Sequence, residues 1–412
     1  MFAARRLHRV LVQFPLRQMS SQVNTNEVWI VGASRTPVGS LNGALKTLPA
    51  TQLGSIAIKH AVESSKVPAA AVEEVFLGQV IQAGAGQSPA RQAALGAGLP
   101  ETADGTTINK VCASGLKSIM LGAQQIQLGQ RDVVVAGGME SMSNAPFLIA
   151  RQNPAFGNGT LIDSMQNDGL WEVYNKFPMG NCAEHTAQQH GITRESADAH
   201  AIESYKRAAE AWKRGAFDNE IAPVVIKDRR GTETIVKEDE EYKNVKFDKI
   251  PTLKPVFSKD GIVTAANASN LNDGASAVVL VSRAKGEELG LKPLAKIVSY
   301  ADAALKPIDF PIAPTVAIPA AIQKAGLTKD DIALYEINEA FSVVVRAAEK
   351  ILDLDPKKIN VNGGAVALGH AIGNSGSRII VSLVHALKPG EYGAAGVCNG
   401  GGAASALVIQ RL

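Results

Sequence analysis

Residues 106–137 read TTINKVCASGLKSIMLGAQQIQLGQRDVVVAG. The stretch that ends at Val111 predicts a buried strand, and residues 116–128 have the composition of a tightly packed helix. Residues 132–137, DVVVAG, predict a second strand that is apolar throughout and bounded by charge and glycine. Continuous apolar strands favour a sheet covered on both faces, so this stretch predicts a layered α/β fold.

The same alternation of elements continues in both directions along the chain. Upstream, strands are predicted over 27–32 and 74–78 and helices over 51–65 and 88–99. Downstream of residue 264, strands are predicted over 275–281, 295–299, 332–337, 395–398 and 406–410, a strand-like run over 361–364 and a helix over 376–387. The second half therefore resembles the first in its order of elements, although a similar pattern does not establish duplication.

Between residues 141 and 264 the composition changes. Asn, Gly, Pro, Met and Trp become common, and two helix-forming stretches, 183–190 and 196–214, are joined by polar segments. A chain of 412 residues exceeds the roughly 250–300 residues at which single cores stop growing, so two or three lobes are expected. We predict that residues 141–264 form a separate excursion that lies over a site on the main body.

The first 26 residues contain four arginines and no Asp or Glu. Residues 1–22, MFAARRLHRVLVQFPLRQMSSQ, intersperse these arginines with apolar residues and end in serines, which is the composition of a mitochondrial transit peptide. A disordered basic tail is the alternative. Without the four arginines the formal charge falls from +3 to −1, so no basic patch remains to predict a nucleic-acid partner. No run of about 20 apolar residues predicts a membrane-spanning helix.

The chain has three cysteines, Cys112, Cys182 and Cys398. So few cysteines exclude a disulfide framework and are typical of a reducing compartment. Cys182 and His185 form half of a metal-site pattern, but no second pair accompanies them, so the sequence does not predict zinc. An odd number of cysteines instead raises the question of reactive thiols.

Cys112 stands where a predicted strand passes into a helix that begins with small residues. Unpaired backbone N–H groups and the positive end of the helix dipole favour the thiolate there, and the thiolate is the nucleophilic form. His370 stands between Gly369 and Gly373, and its neutral imidazole could take the thiol proton from a nearby cysteine. Taken singly, a buried packing cysteine and a structural histidine at a helix start are the alternatives.

Cys398 precedes Asn399 and the three glycines at 400–402. Glycines this close to a thiol indicate a backbone that leaves room and whose N–H groups can bind an oxyanion, and a plain tight turn is the alternative. Asn338 follows the predicted strand 332–337. Its amide can position a water or donate to a carbonyl, but it can equally cap a helix that begins at Glu339.

These residues lie in sequence blocks that resemble the catalytic blocks of the thiolase family. The blocks are NKVCASGLKS (109–118), AGGMESMS (136–143), TAANASNLNDGA (264–275), EINEAFS (336–342), NGGAVALGHAIGNSGSR (362–378) and VCNGGGAAS (397–405). The similarity extends over essentially the whole chain from residue 27. It implies the thiolase fold, in which two similar βαβαβαββ-type halves form a layered α/β/α/β/α arrangement with an inserted loop domain.

The resemblance also implies a role for each candidate residue. Cys112 would be acylated by an acyl-CoA, and His370 would activate it. Cys398 would be the general acid/base at the substrate α-carbon, and Asn338 would hold a water that, with His370, stabilises an enolate or thioester oxygen. A second oxyanion hole would come from the backbone N–H groups of Cys112 and Gly400. The chemistry requires no metal or redox cofactor.

Three further segments resemble the small-substrate branch of the family, which interconverts two acetyl-CoA with acetoacetyl-CoA plus CoA. They are AIESYKR (201–207), VKEDEEYKNVKFDK (236–249) and KPIDFPIAP (306–314). By this resemblance, CoA would be held by Tyr205, Asn244, Val245, Lys246, Lys249 and Ser269. A potassium ion would lie against Tyr205 and the backbone oxygens of Ala265, Ala266, Ala268 and Val366. A solvated loop is the alternative for the lysine-rich segment.

Three positions depart from the pattern of this branch. Pro178 stands where many members have the histidine of His-Met-Gly, which removes a donor near the pantetheine tail. Ala371 replaces a common proline, and Ala403 replaces a fourth glycine. Both alanines are tolerated if their backbone angles stay in the regions ordinary for L-residues.

The resemblance divides the chain into four parts. They are a transit segment (1–26), an N-terminal thiolase domain (27–140 plus 265–291), a loop domain for CoA covering and tetramerisation (141–264) and a C-terminal thiolase domain (292–412). It implies a homotetramer in the mitochondrial matrix.

Three other functions compete with the small-substrate activity. A 3-ketoacyl-CoA thiolase of broader chain length is the alternative within the family. A ketosynthase relies on two histidines beside its cysteine, which Asn338 and Cys398 oppose. A silent CoA-binding subunit would have no need of intact Cys112, His370 and Cys398.

Overall fold

The computed structural model describes residues 26–151 and 156–412, so the predicted transit segment lies almost entirely outside the described residues. The first half of the described chain contains the strands β1 (Val28–Arg35), β2 (Gly39–Ser40), β3 (Glu74–Gly78), β4 (Asp104–Ile108) and β5 (Val133–Ser141). Its helices are α1 (Ala50–Ser65), α2 (Pro89–Gly96) and α3 (Ser114–Gln127).

The segment after β5 contains short strands and two long helices. The strands are β6 (Phe147–Leu148), β7 (Ile162–Asp163), β8 (Trp171–Glu172), β9 (Phe177–Pro178), β10 (Val224–Lys227) and β11 (Glu233–Val236), and the helices are α4 (Met179–His190) and α5 (Arg194–Lys213). The rest of the chain contains β12 (Asn272–Ser282), α6 (Arg283–Glu288), β13 (Ala295–Ala304), α7 (Pro314–Lys324), β14 (Ile332–Ile337), α8 (Ser342–Leu352), α9 (Ala365–Leu368), α10 (Ser375–Ala386), β15 (Tyr392–Asn399) and β16 (Ala403–Arg411).

The central sheet has the strand order β14-β15-β16-β13-β1-β12-β5-β3-β4, and β2 pairs with β12 beside this path. On one side, β3 and β5 are parallel, whereas β5–β12 and β12–β1 are antiparallel. On the other side, β14 and β15 are parallel, whereas β15–β16 and β16–β13 are antiparallel. The two halves thus repeat one pairing pattern, and a short antiparallel contact between β1 and β13 joins them.

The helices form three layers around the two halves of this sheet. Helices α1 and α2 cover the outer face of the first half, and α7 and α8 cover that of the second half. Helices α3 and α10 pack against each other and against strands of both halves, so they form the middle layer. The prediction of a layered α/β fold is confirmed.

The middle layer is tight because glycines stand where α3 and α10 meet. A Cβ on Gly115 would lie 2.7 Å from the backbone nitrogen of Ser377, and a Cβ on Gly376 would lie 2.6 Å from that of Leu116. The two helices therefore approach to backbone contact. Cys112 lies two residues before α3 and His370 lies five residues before α10, so this contact brings the two candidate residues together.

The segment between β5 and β12 forms three two-stranded sheets, β6–β7, β8–β9 and β10–β11, that do not join the central sheet. The fully buried guanidinium group of Arg35 links this segment to the end of β1. Arg35 donates from Nε to Glu220 at 2.5 Å and from its two terminal nitrogens to Asp239 at 2.8 and 3.0 Å. Burial of such a charge requires paired and hydrogen-bonded partners, and both carboxylates come from the inserted segment.

Three sequence predictions of local structure were wrong. The strand predicted up to Val111 ends at Ile108, and Val111 has a φ of 47°. The helix that was to begin at Glu339 begins at Ser342, so Asn338 does not cap it. The strand-like run over 361–364 lies in a turn before α9. None of the helices in the two described stretches is long and apolar enough to cross a membrane.

Candidate active site

A cavity of about 380 Å³ lies where the two halves of the molecule meet. Cys112, His370 and Gly400 line it together with Ser269 and Ala268. Most of the remaining wall is apolar and is formed by Met142, Leu170, Met179, Phe257, Phe310, Phe341 and Ile372. A mostly apolar cavity with a few convergent polar groups is the usual form of a small-molecule site.

Cys112 is buried at the start of α3, and backbone N–H groups of Gly400 and of Cys112 itself face its thiol. Burial nevertheless outweighs these donors and raises the pKa of the Cys112 thiol to about 12. The expectation that the helix N-terminus makes this residue a thiolate is therefore wrong for the resting protein. A buried thiol with this pKa needs a base at the moment of reaction.

His370 lines the same cavity, and its imidazole is a candidate for that base. Its Nδ1 lies 2.6 Å from the hydroxyl of Ser375, and that hydroxyl lies 3.1 Å from the carbonyl of Ala371. If the single hydroxyl proton goes to Ala371, Nδ1 carries the imidazole proton and Nε2 is left with its lone pair. Nε2 is buried and has no hydrogen-bond partner among the described residues. Burial, and secondly the charge of Arg378, lower the pKa of His370 to about 4, so the imidazole is neutral near pH 7.

Cys398 lies fully buried in β15, two residues before Gly400. Burial raises the pKa of its thiol well above the ordinary value, and proximity to Cys112 raises that pKa further. The turn that follows Cys398 requires glycine at two positions. Gly401 and Gly402 both have a φ of 88°, and a Cβ on Gly402 would lie 2.6 Å from the carbonyl oxygen of Leu305.

Asn338 follows the last residue of β14, and its backbone N–H donates to the carbonyl of Gly396 at 3.0 Å. The side-chain oxygen and nitrogen of Asn338 are both buried, and neither has a partner among the described residues. Buried amide groups in proteins are almost always hydrogen-bonded. The amide is therefore suited to bind a water or a substrate oxygen, and the role predicted for Asn338 stays a prediction.

Three further polar residues of the site, Ser375, Glu140 and Glu339, were not singled out in the sequence as functional. Ser375 orients His370. Glu140 accepts from the backbone N–H groups of Val80 and Gly373 at 2.9 and 3.0 Å, which joins two loops behind the cavity. All three lie inside the quoted sequence blocks, so those blocks were the available signal.

Glu339, the third of these residues, is fully buried and holds the segment with Asn338 against the loop before His370. Its carboxylate accepts from Ser204 and Asn360, each at 2.8 Å, and from the backbone N–H of Val366 at 3.1 Å. His200 lies 3.1 Å from it. The pKa of Glu339 is lowered because these partners, His200 first, outweigh the effect of burial.

A second cavity of about 350 Å³ contains most of the residues that were predicted to hold CoA and potassium. It is lined by Tyr205, Asn244, Val245, Lys246, Lys249, Ala265 and Ala266. Asn270 lines both cavities, so the two are adjacent. Val366 lies in α9, fully buried and outside both walls.

The three departures from the family pattern can also be located. Pro178 lines the catalytic cavity, where it contributes no side-chain donor. Neither Ala371 nor Ala403 has a positive φ, so neither alanine needs the left-handed conformation that favours glycine. Among the described residues, no group of three or more His, Cys, Asp and Glu side chains is arranged to hold a metal ion.

The fold and the site define a class, the acyltransferases, in which a buried thiol and an imidazole line one cavity between similar α/β halves. The family described as "Thiolase, N-terminal domain" matches residues 28–284, and "Thiolase, C-terminal domain" matches residues 291–411. The chain belongs to the thiolase family.

Individual relatives agree over almost the whole chain. The chain is 57% identical to the "Acetyl-CoA acetyltransferase, mitochondrial" of Danio rerio over 396 residues, which cover 96% of this chain and 94% of the relative. It is 60% identical to the "Acetyl-CoA acetyltransferase" of Yarrowia lipolytica over 387 residues, 94% of this chain and 97% of the relative.

Solved structures are similar as well. A thiolase from Ascaris suum in complex with coenzyme A has a TM-score of 0.90 and 50% identity, with 94% of this chain and 100% of that one covered. An acetyl-CoA acetyltransferase from Bacillus anthracis has a TM-score of 0.91 and 42% identity, with 94% and 99% covered.

Proposed function

We propose that this chain is an acetyl-CoA C-acetyltransferase that reversibly condenses two acetyl-CoA to acetoacetyl-CoA plus CoA through an acetyl-Cys112 intermediate. The observation that carries this proposal is the meeting of Cys112, His370 and Gly400 in one cavity, with Cys398 buried two residues from Gly400. The names of the similar proteins from Danio rerio and Yarrowia lipolytica support the same substrates.

In the first half-reaction, the lone pair of His370 Nε2 takes the proton of the Cys112 thiol as its sulfur attacks the thioester carbonyl. The carbonyl oxygen becomes negative and is bound by the N–H groups of Cys112 and Gly400, which already face that thiol. The bond from the carbonyl carbon to the CoA sulfur then breaks. CoA leaves with the proton of Cys398, so Cys398 is left as a thiolate.

In the second half-reaction, the Cys398 thiolate takes a proton from the α-carbon of another acetyl-CoA. The enolate oxygen is stabilised by His370 and by a water on Asn338, and the enolate carbon attacks the acetyl group on Cys112. The Cys112 sulfur leaves as a thiolate and recovers its proton from His370, and acetoacetyl-CoA is released. A base other than Cys112 is needed because Cys112 is acylated at this stage, which accounts for the second thiol.

We assign CoA to the second cavity and its opening. Lys246 and Lys249 are both exposed there, so their ammonium groups can meet phosphates in solution. Tyr205, Asn244, Val245 and Ser269 would complete the contacts. The acyl and pantetheine end would then enter the apolar catalytic cavity past Asn270, which lines both.

We also propose a potassium ion beside Tyr205, held by backbone oxygens of Ala265, Ala266, Ala268 and Val366. The pKa of the Tyr205 hydroxyl is raised by burial first and by the negative charges of Glu241 and Glu339 second. A buried hydroxyl in a negative environment fits a hard cation with oxygen ligands. When bound, the ion would hold this wall of the CoA site; it takes no part in the chemistry.

A 3-ketoacyl-CoA thiolase of broader chain length is the second candidate, and the aromatic wall argues against it. The rings of Phe257 and Phe310 each meet the ring of Phe341 edge to face, at centroid distances of 6.2 and 6.5 Å. All three rings line the catalytic cavity and limit the space beside Cys112. Pro178 adds an apolar contact at the place where a histidine is common in this branch.

Thiolysis assays with a series of substrates test the proposal. We expect rapid thiolysis of acetoacetyl-CoA, a steep fall with longer straight-chain 3-ketoacyl-CoA, and higher activity in potassium than in sodium buffer. Efficient thiolysis of long chains would reject the small-substrate assignment. Equal activity in both buffers would reject the potassium site, but it would not count against the proposed reaction.

For the molecule as a whole, we propose the four-part division given above, import into the mitochondrial matrix by residues 1–26, and a homotetramer. The inserted segment 141–264 exposes apolar side chains close together in sequence, which supports a role in subunit contact. They are Phe147, Ile149, Leu161, Ile162, Val173 and Tyr174.

A further inference from the structure

The backbone immediately before Cys112 is strained. Val111 has a φ of 47°, and positive φ is a true outlier for a β-branched residue. Such a conformation persists only where the surroundings determine it. The residue is well placed to affect the site, because its methyl groups lie 3.5 and 3.9 Å from where a Cβ on Gly400 would be.

Part of the restraint on Val111 comes from its own loop. The hydroxyl of Ser114 donates to the carbonyl of Val111 at 2.6 Å and accepts from the backbone N–H of Lys110 at 2.8 Å. The side-chain oxygen of Asn109 accepts from the backbone N–H of Val111 at 3.0 Å. These contacts fix the shape of the loop, but they do not fix its distance from the other half of the molecule.

The side chain of Lys110 supplies the connection to the other half. Its ammonium group donates to Asp302 at 2.5 Å, to the hydroxyl of Ser405 at 2.8 Å and to the carbonyl of Ala404 at 3.3 Å. Asp302 also accepts from Ser405 at 2.7 Å, and these two residues are partners in the β13–β16 ladder. Although burial raises the pKa of Asp302, its hydrogen bonds from Lys110 and other donors lower that pKa to about 2, so the carboxylate stays charged.

The attachment point lies next to the second thiol. In the β15–β16 ladder, Ala404 is the partner of Cys398, and Ser405 is the next residue along β16. Lys110 therefore ties the loop of Cys112 to the strand that pairs with Cys398 and leads back to Gly400. Lys117, on α3, donates to the same carboxylate at 2.6 Å but lies outside the loop.

We infer that Lys110 and Asp302 are positioning residues of the reaction, which set the place of Cys112 relative to Gly400 and Cys398 across the junction of the two halves. Neither residue lines the catalytic cavity, so they act through the loop they hold. This inference rests on the proposed function, since it takes Cys112 as the nucleophile. A displacement of about 1 Å between reacting groups can cost roughly 100-fold in rate.

The test compares Asp302→Asn and Lys110→Met with Lys117→Met as the matched control. The readouts are the rate constant for transfer of labelled acetyl from acetyl-CoA to Cys112, the KM for acetyl-CoA, and the thermal midpoint. We expect both loop variants to acetylate Cys112 roughly 10- to 100-fold more slowly with little change in KM. The double variant should be no slower than the slower single variant. Lys117→Met should behave as the wild type, and Lys110→Arg should recover most of the rate.

The inference is overturned if the two loop variants acetylate Cys112 as fast as Lys117→Met does. It is also overturned if the rates of all three variants fall in parallel with their thermal midpoints, which would indicate stability alone. If Asp302→Asn does not fold, Ser405→Ala removes one bond from the same cluster and is judged by the same criteria. A wild-type protein that never forms acetyl-Cys112 would instead reject the proposed function, so the two failures are distinguishable.

Discussion

At the scale of single residues, burial sets the protonation states of the site more than local charge does. Burial raises the pKa of the Cys112 thiol to about 12 and lowers the pKa of His370 to about 4, so a neutral thiol and a neutral imidazole line the same cavity. In the proposed reaction, we expect the proton to pass from the thiol to the imidazole only as the thioester carbonyl is attacked. The arrangement also protects the two thiols from solution chemistry, because the thiolate is the reactive form.

The pH dependence of acetylation follows from the lowered pKa of His370. An ordinary histidine gains its proton near pH 6.5, but His370 stays neutral until about pH 4. We therefore expect the rate of Cys112 acetylation to show no inflection between about pH 5 and pH 7. The lowered pKa of His370 also affects the free energy of unfolding. Its stabilising contribution is fully present above pH 6.5, and it is lost as the pH falls through about 4. Rapid-quench measurement of labelled enzyme checks the rate, and a clear fall near pH 6.5 would show that His370 is not held neutral.

Ser375 is expected to matter through the tautomer of His370. In Ser375→Ala, Nδ1 loses its partner at 2.6 Å, and the proton can move to Nε2, where it blocks the base. We expect acetylation to slow about tenfold or more, since a positioned general base contributes roughly 10²- to 10⁴-fold. Ser375→Thr keeps the hydroxyl and should stay close to the wild type. An alanine variant as fast as the threonine variant would contradict this role.

Sequence reasoning singled out Cys112, His370, Cys398 and Asn338 from their places at the ends of elements and from the resemblance to the thiolase family, and their roles remain predictions. It gave the wrong direction for the pKa of Cys112. The helix N-terminus is a local feature that a sequence displays, whereas burial depends on chain segments far away in sequence. Ser375 was missed for a related reason, because a serine at a helix start is ordinarily a cap.

At the scale of elements, the contact between α3 and α10 positions the two halves of the site. Gly115 and Gly376 allow backbone contact there, and α3 follows Cys112 while α10 follows His370. Any widening of this contact would separate the thiol from its base.

Gly376→Ala tests this packing. The new Cβ would lie 2.6 Å from the backbone nitrogen of Leu116, which cannot move without shifting α3. We expect a loss of about 1–3 kcal/mol of unfolding free energy, the usual cost of overpacking, together with slower acetylation of Cys112. Gly159→Ala is the control, because a Cβ at Gly159 would meet, among the described residues, only Ile149, at 3.6 Å. Denaturant unfolding measures both variants, and equal stability would show that the helices can separate freely.

Most helices and strands could be predicted from periodicity, and the wrong predictions concern element ends beside the site. The strand before Cys112 ends three residues before Val111, since the loop there turns through a positive φ that a valine rarely adopts. The helix after Asn338 begins later than expected because the Glu339 carboxylate accepts hydrogen bonds from Ser204, Asn360 and Val366. Both departures from local preference serve long-range contacts that a sequence does not display.

At the scale of the whole molecule, two halves with one pairing pattern meet along β1 and β13. The sequence suggested similar halves from the order of their elements. The way they join could not be predicted, because it depends on a short antiparallel contact and on helix packing at glycines. The thiolase family itself was predicted correctly from sequence blocks that lie far apart along the chain.

The role of the first 26 residues can be tested apart from catalysis. We expect a chain that begins at residue 27 to keep full thiolysis activity, since the first strand, β1, begins at Val28 and residues 1–26 are proposed to be a transit segment. Residues 1–26 fused to a fluorescent protein should direct it to mitochondria. Diffuse fluorescence would favour the basic-tail alternative, and loss of activity on truncation would mean that the segment contributes to the fold.

The division of labour between the two thiols can be tested by removing each thiol separately. Cys112→Ala and Cys398→Ala are each incubated with labelled acetyl-CoA, and both the label on the protein and the acetoacetyl-CoA formed are followed. We expect no bound acetyl and no product with Cys112→Ala. With Cys398→Ala we expect bound acetyl on Cys112, formed more slowly because the leaving CoA has lost its proton donor, and no product. Normal formation of acetoacetyl-CoA by Cys398→Ala, or acetyl carried by Cys112→Ala, would contradict this division of labour.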